Sequence, residues 1–177
     1  MTGSSPRFAG SAVGRLLPVV SALLLSALAG DTALGAQDSA AFRALYEKEW
    51  AFRVEEFPRL GFQTGYRTVN DRLARVSEAD QRRRYDFWRG IRDELGTLSC
   101  ERLSRDECID LRIFRRQIER FIADYETRAY LLPFNSDWGF YIDWTRMADP
   151  SNFAREADWT GYLERLRQLP EVMDQYI

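Results

Sequence analysis

The spacing of apolar positions along the chain predicts helices joined by short loops. Over residues 39–57, Phe42, Leu45, Tyr46, Trp50, Val54 and Phe57 share one face of a 3.6-residue repeat. Pro58 is expected to stop that helix. Gly61, Gly65, Asn70 and Asp71 mark the loop beyond it. A second helix is predicted from about Ser77, with Asp80 completing a weak capping-box variant. Its buried stripe is Trp88, Ile91, Leu95 and Leu98, and Arg82, Arg83, Arg84 and Arg92 sit largely on the other face.

The third helix has the clearest signature. Ser104-Arg105-Asp106-Glu107 is a full capping box, followed by an apolar stripe of Leu111, Phe114, Ile118, Phe121, Ile122 and Tyr125. The short link before it predicts an antiparallel hairpin with the second helix. A last helix is expected from near Asp158, facing inward through Trp159, Tyr162, Leu163, Leu166 and Leu169. Pro170 is expected to open a further helix, leaving Val172, Tyr176 and Ile177 as apolar residues with nothing after them to bury against. With no alternating strand pattern of useful length, the fold class is all-α: antiparallel helices with short loops.

The first 36 residues form a different pattern. Arg7 and Arg15 precede an uncharged, mostly apolar run from residue 16 to 29, ending Ala27-Leu28-Ala29. This is the layout of a secretory signal peptide, and the run is shorter than the ~20 residues of a spanning helix. Cleavage is expected after Ala29 or Ala36, with the site before Gln37 favoured; an uncleaved anchor is the other reading. Residues 37–177 are then the helical region proper, expected in the periplasm or secreted, with no stable membrane insertion after cleavage.

Composition changes the picture in two places. Of 177 residues, 45% are hydrophobic and 29% charged, as in an ordinary globular chain, and the formal net charge is −2. Removing Arg7 and Arg15 with the leader takes it to −4, or to −3 when Asp31 leaves too. No basic field exists for nucleic acid. The chain has no histidine, which excludes a complete Ser-His-Asp, Cys-His or His-Glu-x-x-His site within it and removes the commonest neutral-pH base.

Four groups of residues are candidates for chemistry. Cys100 and Cys108 flank the predicted hairpin turn, and an exported protein allows them to pair, stabilising by about 2–3 kcal/mol in the chain-entropy model; two free thiols are the alternative. The arginine run 82–84 reads as an anion site or, more plainly, as a solvated face partly paired with Glu78, Asp80 and Glu94. Asp106, Glu107 and Asp110 read as cap and dipole residues before they read as a metal cluster. The stretch 132–144 carries five aromatic residues and two carboxylates among Pro, Asn and Gly. Asn135, Asp137, Trp138, Phe140, Tyr141 and Trp144 are its candidate substrate contacts. A surface loop so rich in rings suits either docking onto another part of the protein or direct ligand contact. Asp137 and Asp143 as an acid/base pair would need a separation that sequence does not supply.

The order of these features resembles the start of the bacterial "domain of unknown function 885" proteins, from about Phe42 to Ile177. The resemblance rests on Trp50 and Glu55-Glu56-Phe57-Pro58, Gly65, Asn70-Asp71-Arg72-Leu73, Leu103-Ser104-Arg105-Asp106-Glu107, Ile109-Asp110 and Arg115-Arg116-Gln117-Ile118-Glu119. It is most specific at Pro133-Phe134-Asn135-Ser136-Asp137 with Gly139-Phe140, and closes at Tyr162-Leu163-Glu164-Arg165-Leu166 with Leu169-Pro170. It implies a mostly helical, exported or lipid-anchored protein several hundred residues long. Such proteins look like zinc metallopeptidases of the gluzincin kind, with a His-Glu-x-x-His helix far downstream and a later glutamate as third ligand. None of those positions occurs here, so no catalytic residue or metal ligand is assigned to this chain. Zinc is expected only in a full-length parent. Around Gly65-Tyr66-Arg67 many members have a histidine, and this chain does not.

Two functions of different class follow. In one, the chain is the amino-terminal section of an exported metallopeptidase-like enzyme. It forms one wall of a substrate cleft, inactive alone, with the carboxy-terminal part of the same protein as its partner and a peptide as its substrate. In the other it is a self-contained periplasmic helical binding or structural module.

Overall fold

The computed structural model describes residues 17–135, 137, 139–148 and 153–176, with side chains from Gly35 onward apart from those of Arg67 and Asp143. The fold is all-α. Among the described residues there are six α-helices: α1 (Leu17–Glu56), α2 (Pro58–Gln63), α3 (Glu78–Leu95), α4 (Arg105–Glu126), α5 (Phe140–Thr145) and α6 (Glu156–Asp174). The only β-type pairing among them is one isolated bridge, Phe134 to Gly139.

The core is a three-helix bundle of α1, α3 and α4. Tyr85 stacks on Tyr125 (4.4 Å), Trp88 packs on Phe121 (4.5 Å), and Arg115 donates to the Leu95 carbonyl (3.1 Å). Numbers rise along α3 as they fall along α4, so the two form the expected antiparallel hairpin. Lys48 pairs with Glu94, and Glu56 with Arg83, so α1 is antiparallel to α3 as well. Phe42, Leu45, Trp88, Ile91, Leu95, Leu98, Leu111, Phe114, Ile118 and Ile122 fill the centre. Both predicted starts hold. Ser77 accepts from the Asp80 N–H, and Ser104 and Glu107 form a reciprocal capping box that satisfies two otherwise orphaned donors. Cys100 and Cys108 are disulfide-bonded across the hairpin mouth.

Outside the bundle an extended strap, residues 70–76, lies along α6. Gln168 Nε2 donates to the Asp71 carbonyl (2.7 Å), and the Leu73 N–H donates to Gln168 Oε1 (3.0 Å). The Val76 N–H donates to Gln175 Oε1 (2.8 Å). Arg75 pairs with Glu171, and Arg165 donates to both the carbonyl and side-chain oxygens of Asn70. Gly161 lets the helix come this close: a Cβ there would stand 3.1 Å from the Asn70 carbonyl oxygen and from its Nδ2.

Several sequence expectations are corrected. The first helix runs back through the predicted leader to Leu17. That segment is rich in Ala and Leu, both strong helix formers, and Pro18 sits in the first turn, where a missing N–H costs nothing. Pro58 ends one helix but also opens the short α2 as its first residue. Part of the aromatic loop is helical, as α5. Pro170 lies inside α6 instead of starting a new helix. α6 buries the face predicted for it only in part: Tyr162, Leu166 and Leu169 are half-buried and Trp159 and Leu163 are exposed, whereas Asp158, Gly161, Arg165 and Val172 are buried. Polar side chains face inward because the strap presents unpaired backbone groups that need partners. Val172 is buried after all, and Tyr176 stacks on Phe140 at 4.2 Å. The arginine run is not wholly solvated either. Arg84 is buried, donating to Glu56 (2.9 Å) and to the Arg75 carbonyl.

Candidate functional site

Where the bundle meets the strap and α6, the structure forms an open cleft of about 520 Å³. That is the size of a small-molecule site. The end of α1 supplies Arg53, the junction after it Phe57, and α2 Arg59 and Phe62. α2 is held close by Gly61, whose Cβ position lies 2.7 Å from methyls of both Val54 and Val69. α4 contributes Phe121, and α5 contributes Phe140 and Trp144. The strap adds Arg72, and the far wall carries Arg165 and Tyr176. The walls are therefore mostly apolar, aliphatic as well as aromatic, with guanidinium groups set among them. Among the described residues that line the cavity there is no Asp or Glu.

The arginines are fixed in different ways. Arg53 lies over the rings of Trp50 (5.1 Å) and Phe121 (5.9 Å), and its Nη2 is 3.1 Å from Oε2 of Glu49. Glu49 is wholly buried and also accepts from Trp88 Nε1 at 3.3 Å. Burial pushes its carboxyl above the ordinary range, and Arg53 and Trp88 offset only part of that. The Nε of Arg53 is buried with no acceptor among the described residues. Arg165 is held over Phe62 (5.4 Å) and Tyr162 (5.6 Å), and burial lowers its guanidinium from the usual value. Arg72 is half exposed at the edge and pairs with Glu55 at 2.9 Å.

The residues nominated from sequence divide. Phe140 and Trp144 turn into the cavity, in edge-to-face contact at 4.9 Å, and both meet Tyr176. Tyr141 points outward and is exposed. Asn135 and Asp137 are exposed, with Asn135 Oδ1 accepting from the Asp137 N–H at 2.9 Å to brace the turn. Trp138 lies outside the described residues, as does the side chain of Asp143, and so the Asp137–Asp143 pair lies outside them too. Sequence reasoning missed Glu49, Arg53, Asn70 and Arg165. Glu49 and Arg53 continue the apolar stripe of Phe42 and Leu45 at helical spacing. A charged residue in such a register was the available signal.

Zinc, which the family resemblance implies, does not fit these residues. No three of His, Cys, Asp or Glu gather among the described residues, and both cysteines are bonded to each other. Nor is any helix of the described residues long and apolar enough to cross a membrane.

Residues 58–177, which supply nearly the whole cavity lining, match the family described as "Bacterial protein of unknown function (DUF885)". The match covers well over half the chain, and the protein belongs to that family. No curated protein and no solved structure matches it.

Proposed function

We propose that this chain forms one wall of a substrate cleft in an exported protein resembling a zinc metallopeptidase, whose metal site is carried elsewhere in the protein. The observation that supports this reading is the cavity. It is apolar-walled, arginine-bearing and ligand-sized, and it is built almost entirely from the stretch that matches the family. Beside it, Leu132 and Phe134 are 79% and 63% exposed. Such an apolar patch suits contact with further polypeptide. Export is consistent with the leader pattern of residues 1–36 and with the Cys100–Cys108 bridge.

The test is twofold. Coding sequence beyond Ile177 should continue in frame to a His-Glu-x-x-His motif, and the longer product should hydrolyse peptides in a zinc-dependent way. The 177-residue chain alone should hydrolyse none, with or without added zinc. Metal-dependent turnover by this chain alone would sink the proposal. A stop codon directly after Ile177, with a cooperatively folding product, would favour the second reading, a self-contained periplasmic binding module. The disulfide-closed three-helix core, which fills its own centre, supports that second reading.

A further inference from the structure

We infer that the Cys100–Cys108 bridge is a redox clasp for the start of α1: oxidation fixes the turn that carries Arg102, and that turn docks residues 35–41 onto the bundle. The inference rests on the export reading only for the compartment in which the clasp closes. The clasp itself goes beyond that reading.

The beginning of α1 has little else to hold it. Among the described residues of that helix with described side chains, none is buried ahead of Phe42, so residues 35–41 gain almost nothing from the apolar core. Their ties lead to the two bridged ends. Oδ2 of Asp38 lies 2.8 Å from Nε of Arg102, and the Asp38 side chain is only 15% exposed. A pair shielded in this way is screened less than one on the open surface. A Cβ at Gly35 would stand 3.3 Å from the Arg102 carbonyl oxygen, so helix and turn are in close contact there too. Ser39 and Glu107 line one groove between α1 and α4. Arg102 follows closely on Cys100, and Glu107 directly precedes Cys108.

The turn is weak by itself. Cys100–Arg102 is a single 3-10 turn, a geometry with poorer hydrogen bonds than an α-helix. Its bonds are long: the Arg102 N–H donates to the Ser99 carbonyl at 3.2 Å, and the Leu103 N–H to the Cys100 carbonyl at 3.4 Å. The start of α4, by contrast, carries its own capping box and needs no bridge to form. The bridge therefore acts on the turn: it ties Cys100 to the first residues of α4 and so holds Arg102 against α1. On closing, the two thiols give up two protons and two electrons by exchange with a disulfide-bearing oxidant, which leaves as a dithiol. On opening, a dithiol reductant becomes a disulfide and both cysteines regain their protons. In a reducing compartment the start of α1 is undocked, and it docks once the chain reaches an oxidising one.

The experiment is hydrogen exchange on the full chain, before and after reduction with dithiothreitol, read at the amides of residues 38–41 and 114–122. In the oxidised chain, Arg102→Gln is expected to speed exchange at 38–41 several-fold and to leave 114–122 unchanged. Reduction of the native chain is expected to speed 38–41 several-fold, and the reduced Arg102→Gln chain to match it, because the clasp is already open. Asp38→Asn, on the other side of the pair, should behave as Arg102→Gln does. Residues 38–41 exchanging as slowly after reduction as before would overturn the inference. So would an Arg102→Gln effect that persists at full size after reduction, because the pair would then dock α1 without the bridge. The reduced chain is expected to keep its helical circular dichroism. Loss of that signal also overturns the clasp, since the bridge would then serve the whole bundle. Exchange does not depend on where the protein resides, so failure here is distinct from failure of the export reading, which is read by locating the chain in cell fractions.

Discussion

Glu49 is the residue with the largest physical demand on its surroundings. It sits wholly buried in the bundle, and burial raises its pKa above the unfolded value. Between the two values the folded chain holds a proton that the unfolded chain has lost. The corresponding stability is present at lower pH and is lost as pH rises through the folded pKa. Glu107 behaves oppositely. Hydrogen bonds from the Ser104 side chain and backbone hold its pKa down, so its contribution is present above the unfolded value and lost as pH falls through the folded one. Chemical denaturation at a series of pH values should therefore show a component that weakens on the alkaline side of Glu49's titration, and Glu49→Gln should abolish that component. An unchanged pH profile in Glu49→Gln would contradict this account. Deep in the same bundle, Ile118 is fully buried. Ile118→Ala should cost about 2–5 kcal/mol by urea denaturation, through lost transfer energy and a residual cavity. The apolar partners of Ile118 were legible in the sequence because they repeat at 3.6 residues. Glu49, Arg53 and Arg84 were not, because their charge argued for solvent. What keeps them inside is each other's proximity or that of Glu56, and sequence carries no distance.

At the scale of elements, capping chemistry and periodicity were enough for α3 and α4. Ser77 and Ser104 sit where the pattern placed them, and the hairpin between them follows from its short link. Its disulfide closes a short loop at the hairpin mouth. Reduction should lower stability by about 2–3 kcal/mol, read as a drop in Tm. Thiol titration of the unreduced, denatured protein should find no free cysteine, and two titratable thiols would refute the bridge. Apolar spacing finds the inner face of α6 only in part. That face also serves a backbone: Gln168 and Gln175 supply what a neighbouring strand would otherwise supply to the strap. α2 depends on contact of another kind. Gly61→Ala would press a methyl to 2.7 Å from Val54 and Val69. It should cost about 1–3 kcal/mol in urea denaturation, the usual penalty of overpacking, and shift the cavity wall that carries Phe62.

At the scale of the molecule, the bundle and the cavity are assembled from chain segments of very different separation. The bundle of α1, α3 and α4 is complete once the chain reaches Glu126. The cavity is not, because its far wall is α6 and the strap is latched to that helix across 95 residues, from Leu73 to Gln168. Contacts of such span are formed late and opened early relative to local ones. Hydrogen exchange should accordingly find the amides of residues 111–122 the slowest, and those of Leu73 and Val76 markedly faster despite their bonded state. Equal protection in both regions would argue for a single cooperative unit. The strap gives the protein an order of construction. A chain emerging amino-terminus first holds a closed bundle while its binding chamber is still open on one side. The chamber gains its far wall only when two glutamines, made nearly a hundred residues later, reach back to the backbone that has been waiting for them.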